Sequence, residues 1–249
     1  MNKIARVNAI FWIMKICAIT LGCMAGERLS MFLNAGWAVK SLVLIGIFLI
    51  SLVAQLRARS FHPVLFWSVV LSIGAVGATV SDFIGTFGPG DANAALILSA
   101  ALVGVLTAWR VSEKTLSLKR MHRPGAEMFY WAAIVVSNIL GGAVGNYLTG
   151  SSHLGFSGAA AMMGGLLMVI LFIFCFTRWS RTVLFWIAFV FTRPFGDLLT
   201  KPVGKGGLDS GTIGFSAILA CLLAGLVIYT LRKEKGMMVA SCGSFKPVA

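Results

Sequence analysis

The sequence predicts an all-α membrane protein in which eight transmembrane helices form four parallel two-helix repeats. Three observations predict it: the composition, the lengths of the apolar runs and the recurrence of one residue pattern. Of the 249 residues, 58% are hydrophobic and 12% are charged, and the mean hydropathy is +0.91. A soluble domain carries about 25% charged residues. The composition therefore argues against a soluble enzyme and against a nucleic-acid-binding module.

Eight apolar runs are each long enough to cross a bilayer. A helix of about 20 residues spans a hydrocarbon core of roughly 30 Å, and lipid leaves helices as the default way to satisfy so much backbone. The runs lie near residues 8–28, 37–56, 64–86, 92–110, 127–148, 155–177, 182–202 and 211–231. Basic residues precede the first run, as in a secretory signal, but Lys15 interrupts it. Its match to later segments favours a retained helix.

The placement of basic residues predicts the orientation of the helices. Fifteen Lys and Arg residues lie at the two termini and in the connections from even to odd helices, and four lie at the opposite ends. This excess predicts cytoplasmic termini in a multi-pass protein of a bacterial inner membrane. The net charge of +13 then follows from topology and contact with anionic lipid, so no nucleic-acid partner is expected. The oligomeric state stays open.

An aromatic–tryptophan pair marks the start of each odd-numbered helix. The pairs are Phe11-Trp12, Phe66-Trp67, Tyr130-Trp131 and Phe185-Trp186. Trp12 and Trp131 are 119 residues apart, as are Trp67 and Trp186, which indicates a two-helix unit duplicated twice. The repeats cover about residues 8–58, 62–110, 124–177 and 180–233, and a short cytoplasmic tail covers 234–249. We expect the Trp side chains to be anchors at the membrane interface rather than platforms for a substrate.

Small residues recur at fixed distances after each Trp. Ten residues on lie Gly22, Gly77, Gly141 and Gly196, and fourteen residues on lie Gly26, Ser81, Gly145 and Thr200. Two small residues four apart allow transmembrane helices to approach closely. We therefore expect these positions to be helix-packing contacts that bring the four odd helices around one axis, with the even helices outside.

Polar and charged residues follow in the same register and form the predicted path of a substrate or ion. This candidate path comprises Glu27, Asp82, Asn146, Asp197, Lys201 and Arg193. Ionisable groups inside a membrane usually face a cavity or one another. The aligned positions predict one polar layer in the outer part of the membrane. Asp82 has no basic neighbour in sequence and is the preferred ion-binding or titrating carboxylate.

Structural interpretations of the same residues stay open. Asp197 and Lys201 are four residues apart and can form an ion pair, while Glu27 next to Arg28 can lie at the interface. Arg193 can pair with an acid such as Asp82 or Glu27, or bind an anion. Asn146 and Asn138 can hydrogen-bond between helices, an interpretation we prefer for Asn138. We expect the ammonium group of Lys15 to extend to the cytoplasmic surface.

The last repeat contains a specific motif, Pro194-Phe195-Gly196-Asp197-Leu198-Leu199-Thr200-Lys201-Pro202. With the aromatic–Trp pairs, it resembles a bacterial family of membrane proteins built from a four-fold repeat of unknown function. The resemblance covers residues 11 to about 231 and implies the fold and a transport role, without a substrate. The chain departs from the family pattern at Cys23, where the family tends to have Glu, and in the third repeat, which has Asn146 and no acid.

No enzyme signature occurs in the sequence. It lacks His-Glu-x-x-His, Gly-x-Ser-x-Gly and a Walker A loop, so we expect neither catalysis nor a cofactor, and a metal site stays undecided. The predicted function is that of a secondary transporter or channel-like permease for a small solute. We expect this solute to be an ion, either a cation or one whose movement is coupled to protons. The alternative is a non-transporting membrane scaffold or partner subunit.

Overall fold

The computed structural model describes residues 9–32, 37–58, 61–114, 124–150, 155–176, 181–200 and 210–243. Within these ranges all regular elements are helices. They are α1 (Ala9–Phe32), α2 (Trp37–Arg57), α3 (Pro63–Phe87), α4 (Asp91–Glu113), α5 (Pro124–Gly150), α6 (Gly155–Phe176), α7 (Arg181–Thr200) and α8 (Ser210–Gly243). The predicted all-α fold is confirmed. Helix α8 extends further than predicted, into the segment assigned to the cytoplasmic tail.

Most of these helices are suited to a membrane. In the described ranges, seven helices, α1 to α6 and α8, are long and apolar enough to cross a bilayer. Helix α7 contributes a shorter apolar stretch, Val183–Gly196, which includes Arg193 and Pro194. The chain is therefore a multi-pass helical membrane protein, as predicted.

The four odd helices form a closed ring. Helix α1 packs against α3, α3 against α5, α5 against α7, and α7 against α1. Each even helix packs chiefly against the odd helix that follows it around this ring, so α2 lies on α3, α4 on α5, α6 on α7 and α8 on α1. The even helices leave large apolar side chains such as Ile50, Ile97 and Phe172 exposed, which suits contact with lipid. The repeats therefore interlock, because each one supplies an outer helix to the next.

The aromatic–Trp pairs close the ring at one end. Within each pair the two rings meet edge to face, and the first member also contacts the Trp of the next repeat. These contacts join Phe11 to Trp67 (5.6 Å between ring centroids), Phe66 to Trp131 (5.6 Å), Tyr130 to Trp186 (6.3 Å) and Phe185 to Trp12 (5.6 Å). Since all four pairs begin odd helices, those helices start at the same end of the bundle.

The predicted role of the Trp residues as interface anchors is wrong for most of them. Trp67, Trp131 and Trp186 are buried in the core, and Trp12 is half-buried. The cyclic contacts with the neighbouring repeat account for this burial, because each indole fits between the aromatic residues of two helices. The spacing of residues along one helix could not predict this burial, because the contacts form between different repeats.

Small residues lie where the odd helices come closest. The glycine ten residues after each Trp faces the next helix of the ring: Gly22 faces Leu71 and Gly74, Gly77 faces Asn138, Gly141 faces Arg193 and Pro194, and Gly196 faces Thr20. A Cβ atom at Gly141 would lie 2.6 Å from the Cβ of Arg193, and one at Gly196 would lie 2.8 Å from Thr20 Oγ1. Both distances are shorter than van der Waals contact, so any larger residue would push the helices apart.

The second set of small residues extends these contacts by one turn. A Cβ atom at Gly26 would lie 2.9 Å from the Cβ of Ala75, and one at Gly145 would lie 3.5 Å from the Cβ of Pro194. Ser81 is buried against Gly142 of α5. The side chain of Thr200 lies outside the described residues.

Candidate functional site

The structure joins two members of the predicted polar layer. Asn146 on α5 donates a hydrogen bond from Nδ2 to Asp82 Oδ1 on α3, at 3.0 Å. Ser81 directly precedes Asp82, and Gly142 lies one turn before Asn146. The close approach of Ser81 to Gly142 brings the two helix ends together. Asp82 is exposed and Asn146 is half-buried, so this pair lies at the surface of the bundle rather than in its core.

The structure describes the other members of the polar layer only in part. Glu27 lies at the equivalent position of α1, and its side chain is exposed. The side chain of Asp197 and the whole of Lys201 lie outside the described residues. The Asp197–Lys201 ion pair therefore stays a prediction.

Arg193 lies at the centre of the ring and is 0% exposed. Its Nη1 atom donates a hydrogen bond to Sγ of Cys23 on α1. The same sulfur atom lies 2.9 Å from the carbonyl oxygen of Ile19 and 3.7 Å from that of Gly74 on α3. The guanidinium group thus extends from α7 across to the contact of α1 with α3.

Cys23 is a partner that the sequence analysis did not assign. In the sequence it stands out only as a departure from the family pattern, although it lies eleven residues after Trp12, in register with Asp197. This shared position was the signal in the sequence that could have identified Cys23 as a residue of the site. A thiol is a weak hydrogen-bond acceptor, so its contact with a buried guanidinium was not expected from residue type.

Lys15 is the second cation inside the ring, and only 1% of its side chain is exposed. Its Nζ donates a hydrogen bond to the carbonyl oxygen of Phe189 on α7 at 2.6 Å. The same atom lies 3.2 Å from the centroid of the Phe189 ring and 5.6 Å from that of Trp12. The expectation that Lys15 extends to the cytoplasmic surface is therefore wrong: carbonyl and cation–π contacts hold it inside.

The register explains why both cations point inward. Lys15 precedes Gly22 by seven residues, or about two turns, and Arg193 precedes Gly196 by three, so each shares a face with a glycine of the helix contact. Pro194 adds to this local structure. It cannot donate to the carbonyl of Val190, and its ring distorts that turn, next to the carbonyl of Phe189 that accepts from Lys15.

Asn138 and Thr20 are among the neutral polar residues that are buried in the same bundle. Asn138 donates from Nδ2 to the carbonyl oxygen of Ile134 at 2.8 Å, within its own helix, so the preferred interpretation of an interhelical bond is wrong for this donor. Thr20 is buried where α1 meets α7. Its Oγ1 atom has no hydrogen-bond partner among the residues that the structure describes.

A metal centre finds no support in the part of the chain that is described. There, no group of three or more His, Cys, Asp and Glu side chains comes together. His62 is exposed at the start of α3. Chemically, the described site offers hydrogen-bond donors and positive charge at its centre, and a carboxylate with an amide at the end away from the aromatic–Trp pairs.

The model of a family described as the Repeat of Unknown Function (DUF347) matches the chain four times, over residues 10–61, 65–115, 129–180 and 184–235. Each match begins one residue before an aromatic–Trp pair. No curated protein and no solved structure matches the chain. The resemblance drawn from the aromatic–Trp and Pro-Phe-Gly-Asp motifs is thereby confirmed, and it supplies no activity.

Proposed function

The chain belongs to the DUF347 repeat family, and from this premise we propose that it is a secondary transporter or channel-like permease that moves a small ion across a bacterial inner membrane. The observation that carries the proposal is the ring of four odd helices with charged and polar side chains on its inner side. Lys15 and Arg193 are buried there among apolar helices that suit a bilayer. Ionisable residues at membrane depth are costly, and they commonly mark a substrate or ion route.

The outer polar layer is the proposed entrance. Asp82 and Asn146 come from equivalent positions of the second and third repeats and meet at an exposed end of the ring. Glu27 occupies the equivalent position of the first repeat, and the sequence places Lys201 there in the fourth. An ion that entered between these helices would meet a carboxylate before it reached the buried centre.

The buried charges favour proton coupling over a simple cation path. A free cation on the ring axis would be repelled by Lys15 and Arg193, because Coulomb forces are poorly screened away from water. Asp82 is a carboxylate of the outer polar layer, and its hydrogen bond from Asn146 ties it to the contact of α3 with α5. We therefore assign Asp82 as the proton-exchanging group.

The orientation follows from the basic residues. The positive-inside rule supports cytoplasmic termini. Since the aromatic–Trp pairs lie near the starts of odd helices, the ring of aromatic side chains would close the cytoplasmic end. The polar layer would then open toward the outer side.

Asp82→Asn tests this proposal in proteoliposomes that contain trapped pyranine, a pH-sensitive dye. We expect the wild type to move protons when a potassium chloride gradient is imposed, and Asp82→Asn to lower the rate by about tenfold or more, because the amide cannot release a proton. The matched control is Asp91→Asn at the start of the outer helix α4, which should retain the wild-type rate. Absence of any ion movement by the folded wild type would contradict the proposal and favour the scaffold or partner-subunit alternative.

A further inference from the structure

The four aromatic–Trp pairs form a layer across one end of the ring, which we call the aromatic layer, and one repeat differs from the others in it. The first member of the pair is Phe11, Phe66 and Phe185 in the first, second and fourth repeats, and Tyr130 in the third. The three Phe rings contact one another in a chain, since the centroid of Phe11 lies 6.5 Å from that of Phe66 and 6.3 Å from that of Phe185. These apolar side chains form the continuous part of the layer.

Tyr130 lies apart from this chain of Phe rings. Its ring contacts Trp109 on α4, Trp131 and Trp186, with 6.5, 5.3 and 6.3 Å between centroids. Within the described part of the chain, no ring contact joins Tyr130 to the Phe of either neighbouring repeat. The third repeat is therefore joined to the layer through tryptophan rings alone.

Three polar atoms in this part of the layer are buried without a hydrogen-bond partner among the described residues. They are Oη of Tyr130, which is 0% exposed, and Nε1 of Trp131 and of Trp186, whose rings contact Tyr130. Buried donors nearly always have a partner, and a buried polar group without one destabilises the arrangement that holds it. The closed layer is therefore less stable around Tyr130 than along the chain of Phe rings.

We propose that the aromatic layer is the gate at the cytoplasmic end of the permease, and that it opens at Tyr130, between the third and fourth repeats. When α5 and α7 separate at this end, water reaches the Tyr130 hydroxyl and the two indole N–H groups, and this hydration offsets part of the loss of the ring contacts. The chain of Phe rings keeps the other three repeats together during the movement. The inference rests on the proposed function for the idea that a solute passes through the ring, and it adds where that path is closed.

Chemical labelling of Cys23 reports this opening without any flux measurement. Cys23 is buried beyond the layer, eleven residues or roughly 16 Å after Trp12 along α1. The parent for the test is the full-length chain with its other four cysteines changed to Ala, in vesicles whose outer surface carries the aromatic end of the bundle. A membrane-impermeant methanethiosulfonate reagent added outside must then pass the aromatic layer to reach the sulfur atom.

Tyr130→Phe removes the hydroxyl group and keeps the ring. We expect Cys23 to be labelled about fivefold more slowly than in the parent, because the closed layer no longer holds a buried hydroxyl without a partner. The Tm in detergent should be no lower than that of the parent. The matched control is Tyr147→Phe near the other end of α5, where the side chain is 40% exposed, and it should be labelled at the parent rate.

Tyr130→Ala acts in the opposite direction, because it removes the ring that closes the layer at the third repeat. Its Cys23 should be labelled faster than in the parent. A labelling rate in Tyr130→Phe that equals or exceeds the parent rate would overturn the inference, and so would unchanged or slower labelling of a folded Tyr130→Ala variant.

The gate and the permease fail in different ways. Labelling that responds to Tyr130 as expected, while the wild type moves no ion in proteoliposomes, would leave the opening of the layer standing and contradict the permease. Ion movement by a wild type whose Cys23 is labelled at the same rate in the parent and in Tyr130→Phe would support the permease and overturn the gate at Tyr130. Cys23 that is labelled in no folded variant would overturn the gate, and without ion movement both proposals would fall.

Discussion

Lys15 and Arg193 show how helix register places a charged side chain. Both lie on the faces that carry the packing glycines, and both are buried in the ring although their side chains are long enough to reach past one turn of helix. Partners on neighbouring helices hold them there: the Phe189 carbonyl oxygen for Lys15 and the Cys23 sulfur for Arg193. The position of each buried cation therefore depends on the group that accepts its hydrogen bond.

Gly22→Ala tests the closeness of the odd helices. A methyl group at Gly22 would collide with the backbone carbonyl of Leu71 on α3, which cannot turn away as a side chain would. We expect the free energy of unfolding to fall by about 1–3 kcal/mol, measured as a lower Tm in detergent. Gly46→Ala on the outer helix α2 is the control, since open space surrounds Gly46, and it should match the wild type or exceed it slightly. Equal destabilisation of both variants would contradict the close contact.

A large buried aromatic side chain attaches the outer helix α4 to the ring. On α4, Trp109 is 1% exposed, and its ring lies 6.5 Å from that of Tyr130 on α5 and 6.0 Å from that of Trp186 on α7. Most other large side chains on the even helices face outward. Exposure of apolar side chains to lipid costs no free energy. Packing of side chains such as Trp109, rather than hydrophobic burial, must therefore hold the helix in place.

Trp109→Ala tests this attachment of α4. The substitution leaves a cavity between α4, α5 and α7, and we expect a loss of stability on the order of 2 kcal/mol. Val111→Ala, on the same helix at a side chain that is 77% exposed, should leave the unfolding midpoint unchanged. The measurement is thermal unfolding in detergent, and an unaltered Tm for Trp109→Ala would show that α4 is held in another way.

At the scale of the whole molecule, four repeats close into one ring through two cyclic sets of contacts. Aromatic–Trp pairs join neighbouring repeats at one end, and packing glycines join them nearer the middle. Each repeat also donates its even helix to the next odd helix. A single repeat therefore lacks the partner for both of its helices, and the closed ring needs all four.

Reporter fusions test the proposed orientation. Alkaline phosphatase is active only outside the cytoplasm, so a fusion after the last residue should be inactive, while green fluorescent protein at the same place should be fluorescent. Alkaline phosphatase inserted at Gly90, between α3 and α4, should be active. The opposite pattern would contradict the proposed cytoplasmic termini and would place the aromatic ring at the outer end.

Hydropathy and the spacing of Trp, glycine and acidic residues were sufficient to predict eight helices, four repeats and the ring, because a helix converts spacing along the chain into faces. The contacts of Lys15, the contact of Arg193 with Cys23 and the burial of Trp67 required the tertiary structure. These depend on the offset and the separation of neighbouring helices, which residue spacing within one helix does not encode. The pairing of Asp82 with Asn146 lies between these cases: register aligned them, and the approach of α3 to α5 at Ser81 and Gly142 brought them within hydrogen-bond distance.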